Sequence, residues 1–237
     1  MHAPFWLTTA LLFPILLYQG KRARRVTPRL PEAGGETSGQ YGEGAPKFRL
    51  QVIGESTAAG VGVYAHSDGL ASQLALRLHE RTGKTIGWQT FGVNGIRLGD
   101  LLQTLASEKL SHADAVLLCM GVNDTTGFTS RARFRQHLKT LRSAILPLSR
   151  APITLLSVPP MEKFTALPSP LRHIMGWRAR QLDRIYRDLA LQAPADFRYF
   201  NYPIAEDPSL LANDGYHPSQ RGYQFIAKAL AERDWGL

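Results

Sequence analysis

Three residues in this chain have the types and spacing that nucleophilic catalysis needs. Ser56 lies in the glycine-rich stretch GESTAAG, directly after the apolar run 48–53. Asp214 and His217 lie three residues apart in DGYHP, where one tight turn can bring the carboxylate to a ring nitrogen. A serine hydroxyl attacks a carbonyl at neutral pH only with a base within hydrogen-bond reach and a group that orients the base. Ser56, His217 and Asp214 are therefore candidates for these three roles.

Each of these features, taken alone, also has a purely structural interpretation. A serine in a glycine-rich turn is commonly just a turn residue. The Asp-x-x-His-Pro pattern is equally typical of a helix cap, because Pro218 fits the first turn of a helix, where its missing N–H costs nothing. Neither stretch by itself distinguishes a catalytic site from an ordinary turn.

Two further glycine- and asparagine-containing turns follow apolar runs in the same way as Ser56 does. GVND (residues 121–124) follows the run 115–120, and GVNG (residues 92–95) follows the run 85–91. In an open α/β sheet the carboxyl ends of the strands share one edge, where sites are built. A glycine N–H and an asparagine amide could stabilise the oxyanion of an acyl-transfer reaction.

The order of these residues resembles the SGNH (GDSL-type) hydrolases from about residue 48 to the C-terminus. Ser56, Gly95, Asn123 and His217 follow one another as in the family name, and Asp214 stands three residues before the histidine. The resemblance implies that Ser56 is the nucleophile, His217 the base and Asp214 its orienting acid. It also implies an oxyanion hole formed by the N–H groups of Ser56 and Gly95 and the Asn123 amide. No cofactor is implied.

The amino-acid sequences of the motifs resemble one branch of this family more closely. GESTAAGVGV, VPP (residues 158–160) and DGYHP are similar to a bacterial group of lysophospholipase-like esterases. One departure is Glu55, which stands where the family has an aspartate before the nucleophile. Its side chain is one methylene longer, so the orienting hydrogen bonds of that carboxylate must be rearranged, and we expect the exchange to be tolerated.

The elements that must position these residues alternate between strands and helices. The pattern predicts strands over 48–53, 85–91, 114–120, 153–158 and 197–199, and helices over 69–82, 98–107, 130–148 and 178–192. Such alternation favours right-handed crossovers and a parallel sheet with helices on both faces. The predicted fold is α/β, a flavodoxin-like three-layer α/β/α arrangement with a mostly parallel five-stranded sheet, which the resemblance also implies.

Composition indicates one domain and an anionic neighbour. The 237 residues carry a formal net charge of +9, which favours either nucleic acid or a membrane surface as a neighbour. No zinc-ligand spacing, RNA-binding motif or repeat supports nucleic acid, and no metal site is suggested. The single cysteine, Cys119, lies in an apolar strand run and cannot form an internal disulfide.

The N-terminus is organised differently from the rest. Residues 1–20 are apolar, and a basic run followed by a proline- and glycine-rich stretch covers residues 21–46, before the hydrolase domain at 47–237. Cationic residues after the apolar segment favour a membrane anchor, with the enzyme domain on the cytoplasmic side of the inner membrane. The apolar stretch is shorter than about 20 residues, so an interfacial helix is an alternative. A signal-like segment and a helix packed on the domain are others. Residues 21–46 are expected to be a linker.

An apolar stretch, residues 159–177, begins at a predicted strand end. Met161, Phe164 and Leu167 lie in it, and we interpret them as a wall of the acyl pocket. Ordinary packing beneath the following helix is the alternative.

These observations favour a serine esterase that hydrolyses acyl esters through an acyl-enzyme, with a lipid-like substrate such as a lysophospholipid. A related alternative is an acyl thioesterase or a carbohydrate O-acetyl esterase. A non-catalytic membrane-tethered binding module is the alternative of another class.

Overall fold

The computed structural model describes residues 3–105, 108, 110–203 and 206–237. Its strands are β1 (Ser38–Tyr41), β2 (Phe48–Gly54), β3 (Ile86–Gly92), β4 (Ala115–Cys119), β5 (Ile153–Leu156) and β6 (Phe197–Phe200). Its helices are α1 (Ala3–Val26), α2 (Leu70–Thr82), α3 (Leu98–Leu105), α4 (Val122–Thr126), α5 (Arg131–Ile145), α6 (Leu171–Gln192) and α7 (Gln220–Ala231). Short 3₁₀ turns lie at His66–Asp68, Met161–Lys163 and Pro208–Leu210.

The strands form one sheet in the order β1-β3-β2-β4-β5-β6. All neighbouring pairs are parallel except β1 and β3, which are antiparallel. Helices α2 and α7 pack on one face, while α1, α3, α5 and α6 contribute to the apolar core on the other. Strand β4 is buried along its whole length, as expected for a parallel strand covered on both faces. The predicted three-layer α/β/α fold is confirmed.

Over the residues that the structure describes, the sheet has six strands, one more than predicted. The additional strand, β1, pairs with β3 from Ser38 opposite Gln89 to Tyr41 opposite Ile86. Its sequence SGQY has no apolar pattern, because an exposed edge strand is held by backbone hydrogen bonds and needs no buried side chains.

Residues 21–46, expected to be a linker, contain the end of α1 and all of β1. Between these elements the backbone hydrogen-bonds to the loop that follows β2. The Ala33 N–H donates to the Ala59 carbonyl at 3.0 Å, and the Gly34 N–H donates to the Tyr64 carbonyl at 2.9 Å. These bonds hold residues 33 and 34 against the domain.

Helix α1, which covers most of the apolar segment 1–20, packs on the domain. Phe5 is fully buried, and its ring meets Trp177 of α6 edge-to-face with the centroids 5.3 Å apart. The Gln19 amide donates to the Ser169 carbonyl at 2.7 Å and accepts from the Leu171 N–H at 3.1 Å. Among the residues that the structure describes, no helix combines the length and apolar character needed to span a bilayer.

Two predicted helix boundaries differ from the structure by three residues or more, and the first is the end of α5, which comes at Ile145 rather than at residue 148. Helix α6 begins at Leu171, seven residues earlier than expected, because the apolar residues after Pro170 repeat at helical spacing and pack into the core. The predicted end of α3 at residues 106–107 lies outside the described residues.

Candidate active site

The serine turn begins where β2 ends. The Glu55 N–H extends the sheet by donating to the Cys119 carbonyl at 3.0 Å. The chain then turns sharply, since the Ala58 N–H donates back to the Glu55 carbonyl and the Val61 N–H donates to the Ser56 carbonyl, both at 3.0 Å. Ser56 therefore lies at the carboxyl end of a central strand, with only 9% of its surface exposed.

Glycines allow the strand ends to approach one another at this edge. A Cβ atom placed on Gly54 would lie 2.2 Å from the Cys119 carbonyl oxygen, and one on Gly92 would lie 2.2 Å from the Ala59 nitrogen. Both distances are far below any real contact, so side chains are excluded at these positions. The ends of β2, β3 and β4 consequently meet tightly around the serine turn.

The histidine is oriented by the acid three residues before it. The Asp214 Oδ2 atom lies 2.5 Å from Nδ1 of His217, and Oδ1 accepts from the N–H groups of Tyr216 and His217, each at 3.0 Å. Gly215, with φ of +69°, allows this tight turn. Burial raises the pKa of Asp214, but the hydrogen bonds from His217 and Tyr216 outweigh it and hold the pKa below its usual value.

The serine and histidine loops, distant in sequence, are joined directly. The Tyr223 hydroxyl on α7 donates to the Val61 carbonyl at 2.8 Å. Gly62 approaches the histidine loop so closely that a Cβ atom on it would lie 2.2 Å from the Pro218 carbonyl oxygen. These contacts bring Ser56 and His217 into the wall of the same cavity.

Glu55 holds the third predicted element of the site, the Asn123 amide. Its Oε1 atom accepts from the Val122 N–H at 2.8 Å, and its Oε2 atom accepts from the Asn123 N–H at 2.9 Å. Oε2 also accepts a hydrogen bond from Nδ2 of Asn123. An amide NH₂ group has two hydrogens, so one remains for another acceptor. Burial raises the pKa of Glu55 to about 7, although the hydrogen bonds from Asn123 and Val122 oppose the shift.

The candidates for the oxyanion hole occupy different positions relative to the cavity. Ser56 and Asn123 both line it. Gly95 lies in the turn after β3, with φ of +82°. In that turn the residue that lines the cavity is its neighbour Asn94. The Asn94 N–H donates to Glu32 Oε1 at 2.6 Å, which fixes this turn.

The cavity has a volume of about 680 Å³ and joins the polar residues to an extended apolar surface. The residues predicted for substrate binding, Met161, Phe164 and Leu167, all line it. Helix α1 also contributes to the wall of the cavity, with Thr9, Phe13, Leu16, Leu17 and Gly20. The arrangement can accommodate an apolar chain next to a serine hydroxyl and an imidazole.

Comparison with known proteins assigns the family. The model of the GDSL-like lipase/acylhydrolase family matches residues 52–225, a range that includes Ser56, Asn123 and the histidine loop but not the α1 wall. The chain belongs to this family. It is therefore a carboxylic ester hydrolase, as the sequence predicts.

Individual relatives of this acylhydrolase agree with that assignment. The GDSL-like esterase Rv1075c of Mycobacterium tuberculosis is 25% identical over 238 residues, which cover 91% of this chain and 74% of the relative. The structure of TesA superposes with a TM-score of 0.57 at 21% identity, covering 77% of this chain and 95% of TesA. The lipase Lip_vut3 from a goat rumen metagenome gives a TM-score of 0.61 at 16% identity, covering 78% and 98%. The two structural matches show the shared fold.

Two features of this GDSL-like acylhydrolase were missed from its sequence. The first is the set of partners that Glu55 binds, the N–H groups at the start of α4 and the Asn123 amide, although the sequence did indicate that its hydrogen bonds are rearranged. The second is the participation of α1 in the cavity. The spacing of Thr9, Phe13, Leu16 and Gly20 at three or four residues could have indicated that one helix face covers the domain.

Proposed function

We propose that the protein hydrolyses acyl esters through a Ser56-His217-Asp214 triad. Ser56 Oγ attacks the ester carbonyl carbon while Nε2 of His217 accepts the hydroxyl proton. The Asp214 carboxylate, bonded to Nδ1 at 2.5 Å, orients the ring and stabilises the imidazolium that forms. His217 then gives the proton to the leaving alcohol, and the acyl group stays on Ser56. A water molecule deprotonated by His217 attacks this acyl-enzyme and releases the carboxylic acid.

The negative charge that develops on the carbonyl oxygen requires donors already in place. In our proposal these are the second hydrogen of the Asn123 amide and the N–H groups of Ser56 and Gly95. Because Glu55 fixes the orientation of the Asn123 side chain, this donor needs no reorganisation when the charge appears.

The preferred substrate class follows from the cavity. Met161, Phe164, Leu167 and the apolar residues of α1 line the same cavity of about 680 Å³ as Ser56. This single observation carries the proposal, because an apolar pocket of that size suits a long acyl chain. A lysophospholipid is the favoured substrate.

A fluorophosphonate probe tests the nucleophile. We expect it to label the wild-type protein and to leave Ser56→Ala unlabelled, with circular dichroism spectra that are the same for both. Absence of labelling in the wild type would instead favour a non-catalytic binding module.

A series of p-nitrophenyl esters tests the acyl pocket. We expect kcat/KM to rise from acetyl to longer acyl chains, and Phe164→Ala to weaken that rise. A preference for the acetyl ester would contradict a lipid-like substrate and favour a carbohydrate O-acetyl esterase.

We further propose that the protein acts at an anionic membrane surface, on the cytoplasmic side of the inner membrane. Leu7, Leu11 and Ile15 recur every four residues on α1 and are exposed by 64%, 75% and 49%. An interfacial helix buries such a face at the boundary of the headgroups and acyl chains. The net charge of +9 favours anionic lipids.

Vesicle sedimentation with matched leucine variants tests this surface. We expect the wild type to bind phosphatidylglycerol vesicles more strongly than phosphatidylcholine vesicles. Leu7→Gln/Leu11→Gln should bind less well, whereas Leu191→Gln, which changes an 82% exposed leucine on α6, should bind as the wild type does. Equal binding by all three proteins would contradict the proposal.

A further inference from the structure

The cavity face of α1 changes character along the helix. Phe13, Leu17, Lys21 and Arg24 recur every three or four residues and all line the cavity, so they lie on one side of the helix. The wall is therefore apolar towards the N-terminus of α1 and cationic towards its C-terminus.

A third cation, Arg29, lines the same cavity just after α1 ends. The cavity lining includes no aspartate or glutamate among the described residues. Lys21, Arg24 and Arg29 form no ion pair with any carboxylate of the residues that the structure describes. Their positive charges are thus available to a molecule that enters the cavity.

The separation of the two regions matches an amphiphile. Phe13 and Arg24 are eleven residues apart, which corresponds to about 16 Å along a helix at the usual rise per residue. An ester can place its acyl chain against the apolar region. The alcohol part of the same ester, with any headgroup bound to it, would then lie near the cations. Several cations around one position suit the multiple oxygens of a phosphate.

We propose that Lys21, Arg24 and Arg29 form a headgroup site that selects acyl esters bearing a phosphate over neutral esters with the same acyl chain. This inference rests on the proposed function, because it assumes that the ester is cleaved at Ser56. It adds a requirement for negative charge that the triad and the apolar pocket do not impose.

The test compares two soluble substrates that differ only in the phosphate, 1-hexanoylglycerol 3-phosphate and 1-hexanoylglycerol. Both are used below their micelle concentrations, so that attraction to a lipid surface plays no part. We expect the wild-type kcat/KM to be about tenfold higher for the phosphate ester, with the difference mainly in KM. Equal kcat/KM values for the two esters would overturn the proposal.

The helix supplies a matched control for the cations. Lys21→Gln/Arg24→Gln removes two charges that line the cavity, while Arg22→Gln/Arg25→Gln removes two charges from α1 that do not. We expect the first variant to reduce the preference for the phosphate ester to about twofold or less. The second variant should keep the wild-type preference.

Arg29→Gln gives a second measurement outside the helix, in case the double substitution unfolds α1. It should lower the preference by about threefold on its own. An equal loss in the cavity-facing and control variants would show a general charge effect and overturn the proposal. Hydrolysis of 1-hexanoylglycerol that Ser56→Ala leaves unchanged would refute the proposed function instead.

Discussion

The carboxylate of Glu55 should make the stability of this protein depend on pH in an unusual direction. Glu55 is only 3% exposed, and it accepts hydrogen bonds from two backbone N–H groups and the Asn123 amide. Burial nevertheless raises its pKa from 4.5 to about 7, because desolvation of the charge outweighs those bonds.

The sign of the effect follows from proton binding. Between pH 4.5 and about 7, the folded state holds a proton on Glu55 that the unfolded state has released. The free energy of unfolding therefore falls as pH rises through this window. A pKa difference of about 2.5 corresponds to about 3 kcal/mol, all of it lost above about pH 7.

Glu55→Gln isolates this contribution because glutamine does not titrate. Urea unfolding of wild type and variant, followed by tryptophan fluorescence from about pH 4 to about pH 8, gives the difference in unfolding free energy at each pH. We expect the wild type to lose about 3 kcal/mol relative to the variant across the window. Glu36→Gln, which changes an exposed glutamate, should have a free energy of unfolding within about 0.5 kcal/mol of the wild-type value at each pH. A wild-type free energy of unfolding that stays constant or rises relative to that of Glu55→Gln as the pH increases would refute this reasoning.

The same substitution should reduce turnover at every pH. The carboxamide introduced by Glu55→Gln has only one oxygen that can accept hydrogen bonds. Its NH₂ group would therefore face an N–H donor of Asn123 or Val122, and the two donors cannot bond to each other. We expect kcat for a p-nitrophenyl ester to fall by about tenfold to 10²-fold, with little change in KM. Glu55→Asp, which retains both acceptor oxygens, should keep more activity. Equal rates in all three proteins would remove Glu55 from the positioning of Asn123.

Three further substitutions test the remaining parts of the site. Asn123→Ala should lower kcat for p-nitrophenyl esters by about 10²-fold or more while the fold is kept, and an unchanged rate would remove this amide from the oxyanion hole. Asp214→Asn should reduce kcat by about 10⁴-fold through the wrong imidazole tautomer, measured in steady-state assays, and a loss under tenfold would contradict its role. Gly62→Ala should destabilise the protein by about 2 kcal/mol or more in urea unfolding, because φ is +106° and the new Cβ would meet Pro218; wild-type stability would contradict that close approach.

The edge of the sheet that carries the site could be predicted because its strands are buried on both faces. Continuous apolar runs mark such strands in the sequence, and the polar residues after them stand out. The residues just after β2 and β4 could be assigned to one edge in this way, and the structure places Ser56 and Asn123 there.

Other features depend on contacts that no local pattern reveals. Strand β1 forms because the edge of β3 offers unpaired backbone groups, and its own side chains give no signal. Helix α1 has the same apolar composition whether it enters a bilayer or packs on a protein. Its position is decided by distant partners such as Trp177 and Ser169, which meet Phe5 and Gln19.

The bond between Tyr223 and Val61 joins residues 162 positions apart, and this has a consequence for synthesis of the enzyme. A nascent chain that ends before residue 214 has its serine but lacks both the histidine loop and the Tyr223 hydroxyl. Hydrolytic activity should thus arise only after residues 214–223 have been made and folded against the serine loop, so a growing polypeptide that lacks them cannot cleave esters.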